Sequence, residues 1–237
     1  MGTESGAAAP LKQFFSYFGS KGALSRNYPA PELEVIIEPF AGSAGYACRY
    51  PDLEVQLYDA DPVIIGIWVY LIRATRADIL ALPLEPGEVG GLSKPERDFI
   101  GFWWRRCGAT PSLKPVPWMR SGKHPFSFWG KETRERIAAR VERVNHWTAE
   151  QKDYREIPVT SATWFIDPPY QSQGKLYTHG SKRIDYKALG AWVETLPGQR
   201  IVCEASGADW LPFRPLFENR TVKYKRTART ILEMVYP

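Results

Sequence analysis

Asp167-Pro168-Pro169-Tyr170 places a carboxylate, a stiff turn and an aromatic plate directly after the apolar run Trp164-Phe165-Ile166. Those residue types at that spacing suit the activation of an exocyclic nucleobase amine for methylation. The lone pair of adenine N6 or cytosine N4 is conjugated into the ring, so an acceptor on its hydrogens must draw the nitrogen toward a tetrahedral, nucleophilic shape. Asp167 can accept one such hydrogen bond. Two consecutive prolines hold φ near about −65° and supply no N–H, which turns the Pro168 carbonyl outward as a second acceptor. Tyr170 can then stack on the base. The same four residues also read as an ordinary strand-ending turn, since Asp-Pro and Pro-Pro are turn formers. Their company decides between the two.

A second constellation, Glu38-Pro39-Phe40-Ala41-Gly42-Ser43-Ala44-Gly45, follows the apolar Val35-Ile36-Ile37 and leads into a predicted helix. Small residues there let a ligand approach the backbone closely. Asp59 closes the next apolar run, 17 residues after Gly42, at about the separation at which an acidic residue meets ribose hydroxyls in dinucleotide folds. Strand, glycine turn, helix, strand and acid together suit a nucleoside-containing cofactor. The chain has no full G-x-G-x-x-G and no G-K-[ST], so neither a dinucleotide nor ATP is the preferred ligand. A third piece is Phe14 to Gly22, where Lys21 sits in a glycine-rich turn. It can pair with an anion, or be a plain exposed loop lysine.

These residues need a scaffold, and the pattern around them specifies one. Short apolar runs at Val35-Ile36-Ile37, Val55 to Tyr58, Trp164 to Ile166 and Ile201-Val202-Cys203 alternate with segments of helical period, which predicts an α/β fold with a mostly parallel, helix-covered sheet. One helix is expected from Asp61-Pro62, with Asp as cap and Pro at the first helical position, running through Ile65, Trp68, Val69 and Ile72. Another should start after Asp185 and turn Leu189, Trp192, Val193 and Leu196 toward the sheet. Thr221 to Tyr224 and Ile231 to Tyr236, with Lys225 to Ala228 between them, predict a C-terminal antiparallel hairpin. From about Leu82 to Lys131 the chain is crowded with Pro, Gly and Trp and holds no clean period, so an irregular insertion is expected. A helix from Glu132 to Trp147 should follow, with Ile137, Val141 and Val144 inward. Its Arg136, Arg140 and Arg143 form a row that reads either as a solvated face or as a phosphate track.

At 237 residues and 44% hydrophobic content, the chain suits one α/β domain carrying an insertion. The net charge of +5 favours a polyanionic partner, because neutralised phosphates release counterions. Cys48, Cys107 and Cys203 lie far apart with no C-x-x-C, which suggests neither disulfides nor a metal site and fits a reducing cytosol. Met1 to Pro10 reads as a frayed terminus rather than a secretion signal. Val63 to Ile72, interrupted by Gly66, is too short to cross a bilayer.

Taken in order, the three pieces resemble the D12 class, or Dam-like group, of DNA adenine N6-methyltransferases, and especially its small phage-borne members. The match covers the F-x-x-F-G-S-K-G element at Phe15 to Gly22, the E-P-F-x-G turn at Glu38 to Gly42, the acidic strand end Tyr58-Asp59-Ala60-Asp61, and the D-P-P-Y at Asp167 to Tyr170. The resemblance implies a Rossmann-like methyltransferase fold, with S-adenosylmethionine as donor and DNA as substrate in a bacterial cytoplasm. It implies catalysis by Asp167, Pro168, Pro169 and Tyr170. For the donor it implies Tyr17 and Lys21, the latter near the methionine carboxylate, Glu38, Phe40, Ala41 and Gly42 around the methionine part, and Asp59 on the ribose, with Asp167 beside them. Asp153, 14 residues before Asp167, is the candidate acid beside the donor's adenine. The implied organisation is a flexible terminus at 1–12, a catalytic core at 13–72 and 153–237, and an inserted target-recognition region at 73–152. Where many members carry Ser-Asn after the next strand, this chain has Glu204-Ala205-Ser206. The insertion matches no GATC-reading loop, so the resemblance carries chemistry without a target sequence.

Three other readings stay open. The same fold can act on cytosine N4, although relatives of that kind more often carry Ser-Pro-Pro-Tyr. It can act on RNA or a protein amide, or survive as a catalytically silent nucleic-acid-binding module. Methylation at cytosine C5 is disfavoured, since none of the three cysteines follows a proline and all three read as buried structural thiols. Phe102-Trp103-Trp104, Trp118, Phe126, Phe128 and Trp129 can stack on unpaired bases or form the insertion's own core. His124, His146 and His179 show no ligand spacing. Tyr177 and Thr178 follow the D-P-P-Y turn closely enough to contact a flipped nucleotide.

Overall fold

The computed structural model describes residues 9–105, 108–114, 128–171, 180–223 and 227–236. Five strands form a parallel sheet: β1 (Val35–Glu38), β2 (Glu54–Asp59), β3 (Thr148–Gln151), β4 (Ala162–Ile166) and β5 (Gly198–Ala205). β6 (Arg214–Lys223) and β7 (Thr227–Tyr236) extend it, with β7 antiparallel to both β5 and β6, giving the order β3-β2-β1-β4-β5-β7-β6. The helices are α1 (Pro62–Arg73), α2 (Arg76–Ala81), α3 (Lys94–Trp104), α4 (Lys131–Ala138) and α5 (Tyr186–Thr195). After β1 the chain steps outward through β2 and β3, then returns to β4 on the other side of β1. The strand order therefore reverses between β1 and β4, and the crevice beyond the carboxyl ends at such a point is where open α/β sheets bind ligands.

Both faces of the sheet are covered, as runs of consecutive apolar residues require. Side chains alternate between the faces with period two. Ile36, Phe165 and Ile201 join Phe14, Phe15, Trp68 and Phe99 in one core, while Ile37, Trp164, Ile166 and Val202 join Leu189 and Val193 of α5 in the other. The hairpin is longer than the sequence pattern suggests, and residues 224–226 of its turn lie outside the described part. No described helix is long and apolar enough to cross a membrane.

Both helix starts read from Asp-capping hold. Asp61 accepts from the Val63 N–H with Pro62 in the first turn, and Asp185 accepts from Lys187 and Ala188. Leu189, Val193 and Leu196 are buried and Trp192 packs beside them. In α1 the buried stripe includes Ile64, Ile67 and Leu71 with Ile65 and Trp68, whereas Val69 and Ile72 are half-buried.

Four elements differ from expectation. β3, which lies in the span assigned to the insertion, pairs with β2 at the sheet edge. Its polar Thr-Ala-Glu-Gln has no apolar run, because an edge strand needs little burial. The 82–131 region contains α3, announced by a Ser93 and Glu96 capping box with Pro95 in the first turn. Phe99, Ile100, Phe102, Trp103 and Trp104 are all buried, and a helix apolar on most sides shows no period. These rings and Trp129 belong to the main core, so they form neither a base-stacking platform nor a separate small core. Trp118, His124 and Phe126 lie outside the described residues.

The helix expected at 132–147 stops at Ala138 and resumes as a 3-10 turn, Val141–Val144, with Ile137, Val141 and Val144 buried as expected. Two of its arginines are engaged within the fold. Arg140 is buried and donates to the Gln13 carbonyl at 2.6 Å, and Arg143 donates to the Ala9 carbonyl and to Asp52. They fasten the N-terminal segment to the body. Finally, the glycine turn leads into a 3-10 turn, Ala47–Arg49, rather than an α-helix. Ala44 has a positive φ of 47° and Tyr50 precedes a proline, a position that disfavours helix.

Candidate active site

The N-terminal loop, the glycine turn and the D-P-P-Y turn meet at the carboxyl ends of β1, β2 and β4. They enclose a cleft of about 320 Å³, at the lower end of the usual range for small-molecule sites. Tyr17, Lys21, Glu38, Phe40, Ala41, Gly42, Asp59, Asp153 and Asp167 all line it. Pro169 lines it too, whereas Pro168 is buried outside its wall and Tyr170 is half-buried behind Lys21.

Asp59 organises the floor. One carboxylate oxygen accepts from the Gly42 N–H at 3.0 Å and the other from the Asp61 N–H at 2.9 Å, so a single side chain joins the glycine turn to the start of α1. Enclosure pushes its pKa up to about 6, against the pull of those backbone N–H groups. The turn is held from below by the Trp68 indole, which donates to the Gly42 carbonyl at 2.8 Å. Gly42 has φ 45°, and a Cβ there would come within 3.0 Å of the Tyr17 ring, so glycine is required on both counts.

The N-terminal loop packs directly on this turn. A Cβ on Gly45 would lie 2.6 Å from the Gly22 nitrogen and 2.9 Å from the Lys21 carbonyl carbon. Gly45→Ala is therefore expected to cost about 1–3 kcal/mol of stability by forcing the loops apart, read as a lowered Tm and as weaker ligand binding in the cleft. Ser43 donates to Ser20, and Gln13 to Ser43, across the same contact. The Trp103 indole fixes the loop's root through the Phe14 carbonyl at 3.0 Å.

Lys21 is no exposed loop lysine. It is 7% exposed and its ammonium lies 2.8 Å from Asp167 Oδ1, with Asp167 20% exposed. The same nitrogen sits 4.5 Å from the centre of the Tyr170 ring. The resemblance puts Lys21 near a donor carboxylate; in the fold it reaches the carboxylate of the catalytic candidate.

Glu38, 2% exposed at the end of β1, accepts from the Ala47 N–H at 2.7 Å. Burial, with the Asp167 charge adding to it, pushes its pKa from 4.5 up to about 8. The folded chain therefore binds this proton more tightly than the unfolded one. The stability it contributes is complete below about pH 4.5 and is lost as pH rises toward about 8, at up to about 1.4 kcal/mol per pH unit. Glu38→Gln is expected to shrink the fall in Tm between pH 6 and pH 8, as thermal unfolding at the two values will show.

Asp153 caps a short turn, Tyr154–Glu156, and both its oxygens meet the Arg155 guanidinium, at 2.7 and 3.1 Å. That pairing holds its carboxyl below the ordinary value. Beside it the Tyr154 and Phe40 rings pack at 5.8 Å and form one aromatic wall. Lys152, Arg155 and Arg183 also line the cleft, Lys152 paired with Glu150 at 3.0 Å and Arg155 with Asp153, and the sequence pattern did not single them out. Lys152 and Arg155 flank Asp153 in sequence, but only the fold brings them and Arg183 to the cleft.

Cys48 and Cys203 are buried free thiols. Burial, reinforced by Glu38, pushes Cys48 up to about 12, which suits a structural thiol rather than a nucleophile. Cys107, Tyr177, Thr178 and His179 lie outside the described residues. His146 is exposed beside the Leu53 carbonyl. Among the described residues no group of His, Cys, Asp and Glu is placed to hold a metal ion. No protein-family model matches this chain, and no curated protein matches it in sequence.

Proposed function

We propose that this chain is an S-adenosylmethionine-dependent DNA methyltransferase, of the D12 kind, that modifies adenine N6 in a base turned out of the stack. The observation that carries the reading is the convergence of Asp59, the Gly42 turn and Asp167 on one cleft at the switch point of the sheet. Two carboxylates with separate tasks face a common volume. The ordered motif resemblance supports it further.

The residues present fit the donor. Asp59 accepts from the backbone N–H groups of Gly42, Asp61 and Ala60 and still has acceptor capacity for a ribose hydroxyl. The Phe40 and Tyr154 wall offers an apolar face to a purine. Lys21 supplies a cation between the glycine-rich loop and Asp167. When bound, the donor supplies an electrophilic methyl group on a sulfonium.

Asp167 accepts a hydrogen bond from the incoming amine and orients its lone pair; Pro168 is buried outside the cleft wall, so its carbonyl serves as the second acceptor only if the turn brings it to face the amine. Tyr170 offers its ring to the base once Lys21 yields. Removing a base from the stack costs a few kcal/mol, which stacking and edge hydrogen bonds must offset. The acceleration then comes from orientation and placed acceptors rather than a covalent intermediate. Asp167 need not be a strong base, because the amine proton becomes acidic only as the new bond forms.

The test is incubation with methyl-labelled S-adenosylmethionine and DNA, followed by digestion to nucleosides. Label in N6-methyladenine is the expected result. Label in N4-methylcytosine would replace the base assignment. No transfer to any nucleic acid, with DNA binding retained, would leave a silent binding module.

A further inference from the structure

Glu204 departs from the pattern of the family this chain resembles, and the fold gives it work. It lies on β5, is fully buried, and collects three N–H donors: Ala205 on Oε1 at 2.8 Å, and Gln171 and the Trp210 indole on Oε2 at 3.1 Å each. A carboxylate is an expensive way to fill space, since an apolar side chain of similar size avoids the desolvation. Its partners show what it holds. Gln171 is the residue immediately after Tyr170.

A second group holds the other side of Tyr170. The Tyr186 hydroxyl, in the first turn of α5, donates to the Pro169 carbonyl. The Tyr186 ring in turn packs against Trp210 at 5.7 Å, so Glu204, Trp210 and Tyr186 are one connected unit. The Pro169 carbonyl belongs to the peptide plane before the Tyr170 Cα, and the Gln171 N–H to the plane after it. Fixing both planes fixes φ and ψ of Tyr170 and hence the direction in which its side chain leaves the backbone.

We propose that Glu204 is a positioning residue that, together with Tyr186 and through Trp210, sets the aim of Tyr170 relative to Asp167. The proposal rests on the D-P-P-Y turn being catalytic, as above. A gain in Tyr170 placement is worth having because misplacing a reacting group by about 1 Å can cost about a hundredfold in rate. It also accounts for a buried carboxyl, close enough to Asp167 to feel its charge, that packing alone would not select.

Glu204→Gln keeps the size but points an amide N–H₂ where a donor already stands. The expected result is a kcat for methyl transfer lower by about tenfold to a hundredfold, with donor affinity within about twofold of wild type, since Glu204 does not line the cleft. Tyr186→Phe, which removes the hydroxyl that bonds both Pro169 and Ser181, should lower kcat in the same direction, and it serves as the measurement should Glu204→Gln fail to fold. A structural role alone would lower Tm and leave kcat of the folded enzyme unchanged. That outcome in both variants overturns the proposal.

A readout independent of activity separates this claim from the function. In amide and aromatic NMR spectra, Glu204→Gln should shift the Gln171 amide, the Trp210 indole N–H and the Tyr170 ring signals, while Ile36 and Val55 amides stay in place. If wild type transfers no methyl group yet these signals move, the function fails and the positioning role stands. If Tyr170 signals stay put, the positioning role fails whatever the enzyme does.

Discussion

Asp167→Ala is expected to lower the rate of methyl transfer by about 10³-fold or more while changing donor affinity by less than about threefold. The first number follows from removing the charged acceptor that the proposal assigns to the amine, a loss of the kind that placed polar groups at reacting centres show. The second follows from position, because Asp167 closes the β4 side of the cleft whereas Asp59 and the Gly42 turn form the floor. The variant also strands Lys21, which is 7% exposed and loses its partner at 2.8 Å. Losing such a pair destabilises, by about 1–3 kcal/mol given that Asp167 is partly solvated. Lys21 retains the Gly19 carbonyl at 3.4 Å and the Tyr170 ring, so the fold should persist. Single-turnover transfer with isothermal titration of the donor will separate the two effects. Loss of donor binding in place of rate would move Asp167 from the chemistry to the binding site.

Asp59→Ala should show the opposite division, with donor Kd raised about 10- to 100-fold and the rate at saturating donor much less affected. Hydrogen bonds to a charged group are worth about 1.5–3 kcal/mol each. The loss is compounded because the Gly42 and Asp61 N–H groups lose their acceptor, so the glycine turn loosens. The pH dependence carries a sign of its own. Enclosure pushes Asp59 up to about 6, so the carboxylate protonates as pH falls through that value and loses acceptor capacity. Donor binding should therefore weaken below about pH 6, and Asp59→Asn should remove that dependence. Fold stability runs the other way for this residue, since a raised folded pKa means that the protonated form is the better tolerated one. Titrations between pH 5 and pH 8 will resolve both trends.

Much of the site was legible because its motifs are local. An acid, two prolines and a tyrosine after an apolar run place a carboxylate at a strand end whatever the rest of the chain does. Glu38 to Gly45 and Asp59 are legible for the same reason, each being tied to the end of its own strand. Lys21 illustrates the limit. Its glycine-rich surroundings marked a turn, but its partner is 146 residues away in sequence, a separation that no local pattern encodes. The same holds for Glu204, whose meaning depends on Gln171 and Trp210, and for Arg140, whose charge is spent on the Gln13 carbonyl. β3 was hidden because pairing with β2 supplies what its own composition lacks. α3 was hidden by aromatic excess, although its Ser93 and Glu96 cap was in plain sight. Sheet order reverses at β1 and β4 only once the chain is folded, and that reversal gathers the three motifs at one crevice.

The central claim is geometric: a donor lying on Asp59 and the glycine turn presents its reacting group to Asp167. A crystal structure with S-adenosylhomocysteine bound tests it most directly. The ribose hydroxyls should rest on Asp59, the purine on the Phe40 and Tyr154 wall, and the sulfur should face Asp167 across room for one amine. A ligand bound outside this cleft, or seated in it with its sulfur turned away from Asp167, would contradict the account.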